Sequence, residues 1–393
     1  MISLFTSCSC CGWISNRIDN LTFRFISVYN CCLSLQGLIM KKIKLIALIL
    51  ASNYLCLSGY ASDAQDVFYQ AFNFAKNESP FSQQLNWNDI ETKALEFIGN
   101  EEIICRGTSA IANILAPALN KYDFHSLVTE QGLGSTLCPN YHPDELSQYW
   151  SDFIQLNDAA RSYIQETTSH FWGKRYGDIA YIYVPSGYAF SHNEVNARIM
   201  EGRNLINELD LDTAAGVIVD FRLNGGGNYF PMLLSLSKLI TPGTLFSYSN
   251  GERIHLSEDG NTLAALTADG LKVILHQIDH SPPVNRVNIP IVLLVDEGTG
   301  SSGAITAFAL KENSSTSHIL GERTSPTLSV NASLELKDGN YFNLMILRMV
   351  SADGIEQPLY LDIDTRLEHN FYSMFKPEDK SIKQAIQFLN QPN

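Results

Sequence analysis

Three short runs that are apolar nearly throughout constrain this chain most: Ile179-Ala-Tyr-Ile-Tyr-Val184, Gly216-Val-Ile-Val-Asp-Phe221 and Ile291-Val-Leu-Leu-Val295. Continuous apolar runs of this kind, rich in β-branched and aromatic residues, fit strands buried on both faces. Each gives way to turn residues and then to a helical pattern: His192 to Leu209, Pro231 to Ile240, and Ser301 to Glu312. A further short strand is read at His318-Ile-Leu-Gly321. Strands separated by helices of this length predict a mainly parallel, three-layer α/β core. Ala332 to Leu336 and Tyr341 to Val350, around Asp338-Gly339, predict a hairpin. The segment between residues 241 and 289 reads as a long irregular insertion. No internal repeat or low-complexity tract is evident.

The part of the chain ahead of this core divides into three. Residues 1–39 read as an extension ahead of a true start at Met40. Residues 40–61 have the layout of a secretory signal peptide: Met40-Lys-Lys-Ile-Lys, the apolar run Leu45-Ile-Ala-Leu-Ile-Leu-Ala51, and Gly59-Tyr60-Ala61 with small residues at −3 and −1 of a cleavage after Ala61. The apolar run is short for a permanent span, and Asn53-Tyr54-Leu55 ahead of Cys56 is a poor lipidation context. Export to the periplasm or the extracellular space is expected, with no stable membrane span after cleavage. Residues 62–150 are expected to form a small helical N-terminal domain, since Val67, Phe68, Ala71, Phe72 and Ala75 recur at helical spacing and Trp87 to Ile98 follows a capping Asn. Gly132, Gly134, Pro139 and Pro143 mark a boundary, and residues 172–393 are expected to form a second, larger domain.

Six of the eight cysteines lie within the first 61 residues, leaving Cys105 and Cys138 after cleavage. In an oxidising compartment these two are candidates for a disulfide, the alternative being two buried thiols. With 45% hydrophobic residues the chain can bury a large core, and a net charge of −14 excludes nucleic acid as a partner. No metal-binding pattern such as His-Glu-x-x-His or clustered Cys/His is present, so neither a metal nor another cofactor is expected.

Three segments can carry chemistry. Asp220-Phe-Arg-Leu-Asn-Gly-Gly-Gly-Asn228 follows a buried strand, and its glycine N–H groups suit either a simple turn or an oxyanion hole. A phosphate loop is disfavoured, because no Lys-Ser/Thr follows. Gly298-Thr-Gly-Ser-Ser-Gly303 lies between a buried strand and a helix, where Ser301 is either a helix cap or a nucleophile beside free helix N–H donors. Tyr122-Asp-Phe-His-Ser126 supplies His125, a base of the kind a serine nucleophile needs. Ser235-Leu-Ser-Lys238 has the Ser-x-x-Lys spacing of serine β-lactamases but lacks their companion motifs, and reads as chance.

In this order the segments, followed by Gly321-Glu322-x-Thr324, resemble the family of C-terminal-processing and tricorn-type serine peptidases, also called tail-specific proteases. Asp123-x-His125-Ser126 is similar to the motif of members without a PDZ domain. The resemblance runs from about residue 64 to 370. It implies a crotonase/ClpP-like αβ core and hydrolysis of peptide or protein substrates through an acyl-enzyme on Ser301. It further implies an oxyanion hole formed by Gly225 or Gly226 with Ser302. One branch of the family uses a lysine base, but residues 312–336 hold no lysine and Thr327 stands near its place. The tricorn-like branch uses a histidine supported by a neighbouring serine and a distant glutamate, which implies His125 with Ser126 and, for the acid, Glu356. The sequence departs from the family at Ala304, where an acid usually follows Ser-Ser-Gly; this leaves a catalytically impaired, peptide-binding relative as the alternative.

Overall fold

The structure, a computed structural model, describes residues 63–100, 103–129, 147–314 and 316–391. The predicted extension 1–39, the signal peptide 40–61 and Cys138 lie outside the described residues. Cys105 is disulfide-bonded.

The chain begins with helices α1 (Asp63–Glu78), α2 (Trp87–Ile98), α3 (Ile104–Ala110) and, after a π-helical turn, α4 (Ala116–Leu119). Asn86 caps α2 by accepting from Asp89 N. Strand β1 (Leu127–Thr129), helices α5 (Gln148–Ile154) and α6 (Asp158–Thr167), and strands β2 (Trp172–Tyr176) and β3 (Ile179–Tyr183) follow. Helix α7 (His192–Glu208) starts with a capping box between Ser191 and Glu194. Then come β4 (Gly216–Asp220), α8 (Tyr229–Ser235), β5 (Gly243–Tyr248), β6 (Arg253–Leu256), β7 (Thr262–Leu266) and β8 (Lys272–Gln277). The C-terminal part holds β9 (Ile291–Val295), α9 (Ser301–Glu312), β10 (Ser317–Gly321), β11 (Ser329–Glu335), β12 (Tyr341–Val350), β13 (Thr365–Arg366) and α10 (Lys380–Leu389).

The α/β class expected from the sequence is present, but a mainly parallel core describes only one of two sheets. That six-stranded sheet has the order β13-β10-β9-β4-β3-β2 and is parallel except for the β2–β3 pair. The three apolar runs of the sequence are its centre. Every residue of β3, β4 and β9 is buried. Alternation sends Ala180, Ile182, Val217, Val219, Leu293 and Val295 to a core shared with α7, α8 and α9. Ile179, Tyr181, Tyr183, Ile218, Val292 and Leu294 face the opposite core, shared with α5, α6 and α10.

The second sheet has seven strands and is antiparallel, in the order β1-β12-β5-β6-β7-β8 with β11 also on β12. Its β5–β8 meander occupies the segment expected to be irregular. The turns Ser249-Asn-Gly251, Ser257-Glu-Asp-Gly260 and Thr267-Ala-Asp-Gly270 close its hairpins, as Gly at positive φ allows. Leu245, Phe246, Ile254, Leu256 and Leu263 pack this sheet into the core beneath α8 and α9. The strands were hidden because each is short and weakly alternating, so burial is conferred by a partner surface that lies elsewhere in the chain.

The N-terminal helices share their core with one hairpin of the second sheet. Val67, Phe68, Ala71, Phe72, Ile98, Ile111 and Leu115 cluster with Leu336, Phe342 and Leu344 from the β11–β12 hairpin. Phe342 is fully buried and meets Phe74 edge-on at 6.5 Å between ring centres. The helical N-terminal segment thus packs on the β11–β12 hairpin. Phe342→Ala is expected to cost about 3–5 kcal/mol and to destabilise helices and sheet together. Thermal unfolding followed by circular dichroism and by tryptophan fluorescence should then shift as a single transition; two separated transitions would show an independent helical domain.

Candidate active site

The loop after β4 is held by buried charge. Arg222 is 4% exposed and Asp220 fully buried. The Arg222 guanidinium reaches Asp220 Oδ2 at 2.5 Å and Asp379 Oδ2 at 2.9 Å. Asp220 also accepts Arg222 N–H at 3.0 Å and Tyr181 Oη–H at 2.8 Å. Burial disfavours the guanidinium charge, but the two carboxylates outweigh it and hold Arg222 firmly protonated. Asp379 in turn caps α10 through Ser381 N and Ile382 N. Asp220-x-Arg is thus an anchor that pins the glycine loop to the sheet and to α10.

Asn224, fully buried, shapes the next part of the loop. Its Nδ2 donates to Val184 O at 2.9 Å, its Oδ1 accepts from Gly226 N at 3.0 Å, and its backbone O accepts from Gly300 N at 2.9 Å. The last bond ties the glycine loop to the turn before Ser301. Gly226 has φ +108°, and a Cβ there would lie 2.7 Å from Ser301 Cβ and 2.9 Å from Ser302 N. Only glycine permits both that backbone and that approach. Gly226 N–H is already bonded to Asn224, whereas the N–H groups of Gly225 and Gly227 have no acceptor among the described residues.

Ser301 opens α9 with φ +47°, a left-handed conformation unusual for a non-glycine residue. Such a turn from buried strand to helix projects the side chain away from the backbone, and the strain is characteristic of functional positions. Ser301 N–H donates to Thr327 Oγ1 at 2.9 Å. Its hydroxyl has no partner among the described residues. Ser302 Oγ donates to Gly227 O at 2.8 Å, and Ser302 N–H, in the first helical turn, has no acceptor among the described residues.

His125 sits 8% exposed before β1. Its Nδ1 lies 2.6 Å from Ser329 Oγ, and burial lowers its pKa to about 4. Ser329 starts β11 two residues after Thr327. Nucleophile candidate and imidazole are thereby fastened to one short segment, in which Ser329 N–H donates to Thr327 O at 2.8 Å. Asp123 organises the turn that presents the ring, accepting from His125 N and Ser126 N, both at 2.9 Å, and from Ser126 Oγ at 2.7 Å.

Residues 178–362 match the profile of peptidase family S41. This stretch belongs to that family. Peptidase family S41 comprises serine-type peptidases, and the matched residues span the glycine loop, Ser301, Thr327 and Ser329. The chain is 33% identical over 129 residues to the nisin-resistance protein of Lactococcus lactis subsp. lactis, an alignment covering 32% of this chain and 37% of that protein. It is 28% identical over 152 residues to the chloroplastic C-terminal processing peptidase of Tetradesmus obliquus, covering 38% of this chain and 28% of that one. The match thus spans about a third of the length of these relatives. In fold it is similar to a lipoprotein from Streptococcus agalactiae, with TM-score 0.55 and 16% identity over 85% of this chain and 98% of that chain.

Within this stretch the structure brings Gly226 against Ser301 and Ser302, with Gly225 next to it in the loop. The surroundings of His125 differ from expectation. Ser126 does not meet the ring: its hydroxyl donates to Asp123 and accepts from Met345 N at 3.1 Å, fastening the turn to β12. Glu356 is half-exposed and pairs with Arg348 Nη1 at 2.5 Å. The group at Nδ1 is Ser329, which the resemblance did not single out. The sequence carries no signal for it beyond its place two residues after Thr327. Ala304 is fully buried in the apolar core and not on the open face of the site. Lys238 pairs with Asp212 on the surface and Ser235 packs against Gly202, so Ser-x-x-Lys has a structural place. No cluster of metal-ligating side chains occurs among the described residues.

Gly226→Ala tests the contact between loop and helix. The added Cβ forces either the glycine loop or the Ser301 turn to shift. Reaction of Ser301 with a fluorophosphonate is expected to slow by about tenfold or more, with a stability loss of about 1–3 kcal/mol. Labelling kinetics and thermal melting of the same sample separate the two effects.

Proposed function

We propose that this protein is an exported serine peptidase that cleaves peptide bonds through an acyl-enzyme on Ser301. The observation that carries the reading is Ser301 itself: a strained, left-handed serine at a strand-to-helix turn, packed on a glycine loop, with an unpartnered hydroxyl. The family match of residues 178–362 supports the same reaction class. The parallel sheet with helices on both faces favours the crotonase/ClpP-like description of the core. The signal-peptide pattern of residues 40–61 supports export. No helix among the described residues is long and apolar enough to cross a membrane.

In the proposed reaction His125 Nε2 takes the Ser301 hydroxyl proton as Oγ attacks the scissile carbonyl carbon. The carbonyl π electrons move to oxygen, and the N–H groups of Gly225 and Ser302 receive the oxyanion. The imidazolium then protonates the leaving amine as the C–N bond breaks. Water, deprotonated by the same ring, hydrolyses the acyl-enzyme. For Nε2 to be the free acceptor, Nδ1 must carry the proton and donate it to Ser329 Oγ, so Ser329 takes over the orienting part earlier assigned to Ser126. Glu356 has no part in this scheme. Thr327, where the other branch of the family has lysine, holds the Ser301 backbone and leaves the proton to His125.

The competing reading, a peptide-binding relative impaired at residue 304, draws less support. Ala304 is enclosed in the core, so its small side chain removes no group from the open site.

Fluorophosphonate labelling is expected for the wild-type chain, absent in Ser301→Ala and reduced by about a hundredfold or more in His125→Ala. Labelling that survives Ser301→Ala would overturn the assignment of the nucleophile. Since a protonated imidazole cannot accept the serine proton, the final loss of activity on acidification is expected only as the pH falls through about 4. A peptide-hydrolysis profile between pH 3 and 9 checks this.

A further inference from the structure

Helix α5 precedes the region that matches the family, yet one of its side chains reaches the turn that carries Ser301. Tyr149 is 2% exposed, and its hydroxyl donates to Asp296 Oδ2 at 2.6 Å. The same oxygen is 2.7 Å from where a Cβ on Gly298 would be, with Leu223 Cα 3.1 Å from that position. The ring is gripped by His369 and Phe371, each 4.9 Å between ring centres. His369 bridges Glu322 at 2.8 Å and Asp152 of α5 at 3.2 Å, so the helix is held at two points.

Asp296, 1% exposed, is the hub between the two functional loops. Its Oδ1 accepts from Leu223 N at 2.9 Å and from Thr299 Oγ1 at 3.2 Å. Leu223, at φ +60°, begins the bend into Asn224 and the glycines. Thr299 lies two residues before Ser301, and its one hydroxyl proton is shared between Asp296 and Phe221 O, the latter at 2.8 Å. One carboxylate therefore sets the spacing between the oxyanion donors and the nucleophile, and the Tyr149 hydroxyl fixes that carboxylate.

We propose that Tyr149 is a positioning residue for the reaction: by holding Asp296 against Gly298, it makes docking of α5 a condition for an assembled oxyanion hole. This rests on the peptidase reading above, and extends the functional unit beyond residues 178–362. Burial raises the Asp296 pKa to about 6, and the Tyr149 hydrogen bond is the foremost of the effects that hold it down. Arg222 and Asp220 face this carboxylate from the glycine loop, while Glu322 and His369 face the tyrosine from its other side. A protonated Asp296 retains one acceptor oxygen for Leu223 but gives up the second charged contact. Wild-type activity should then show a partial step near pH 6, above the final loss near pH 4.

The test is Tyr149→Phe in the full chain, which keeps the ring and its packing. Fluorophosphonate labelling is expected to slow by about tenfold or more. Without the tyrosine hydrogen bond Asp296 binds its proton more tightly, so the upper step moves to higher pH while the lower one stays. Amide hydrogen exchange at residues 223–227 and 298–302 should accelerate. In combination with Asp296→Asn the effects should be less than additive. Wild-type labelling rate, an unmoved upper step and unchanged exchange in Tyr149→Phe would overturn the proposal. If the wild type itself resists labelling, the peptidase reading fails, while hydrogen exchange still decides whether Tyr149 holds the loops. Should Tyr149→Phe not fold, Asp296→Asn, which keeps one acceptor oxygen, is subjected to the same measurements.

Discussion

The ion cluster of Arg222 with Asp220 and Asp379 is the interaction on which the site depends. Two carboxylates and a guanidinium taken out of water are costly to bury, and such a group stabilises only when its hydrogen bonds are nearly all made. Here Asp220 receives Tyr181 and the Arg222 main chain, Asp379 receives three backbone N–H groups, and the guanidinium lies 5.1 Å from the Phe375 ring centre. Removing one partner would strand the others as buried charge, an effect of about 3–5 kcal/mol. What the cluster secures is location, because the glycine loop leaves β4 in one direction only and α10 is capped by the same acid.

Leu223 in the glycine loop and Ser301 in the turn packed on that loop are both non-glycine residues at positive φ. Each conformation costs of order 1–3 kcal/mol and persists only where its surroundings over-determine it. For Leu223 the compensation is its N–H bond to Asp296, and for Ser301 the N–H bond to Thr327. Asn224 joins the two loops directly through Gly300 N–H. The glycines give the approach its room, and the polar side chains give it a single arrangement.

Much of this was legible in the sequence. The three apolar runs mark the centre of the parallel sheet, and the residues following them mark the loops that meet at Ser301. Residues whose partner is distant were not legible. Ser126 looked like the companion of His125 because it is adjacent, but Asp123 in the same turn captures its hydroxyl first. Ser329, 204 positions away, is the group the ring meets. Glu356 was plausible as a distant acid, yet Arg348 neutralises it near the bridge between Val350 and Glu356. Tyr149 sat in a stretch without clear pattern, since one inserted aromatic residue leaves no periodic signature.

By itself the sequence determined the local steps: which runs must be strands in a dry interior, where glycine and serine interrupt them, and which residue types are available as nucleophile and base. These follow from side-chain chemistry and from spacing along one chain. Tertiary structure alone decided the antiparallel second sheet, the core that the N-terminal helices share with β11 and β12, and the partners of His125 and Asp296. Those depend on which surfaces meet after long chain excursions, where hydrogen bonding and close packing select among contacts that local sequence leaves equally open.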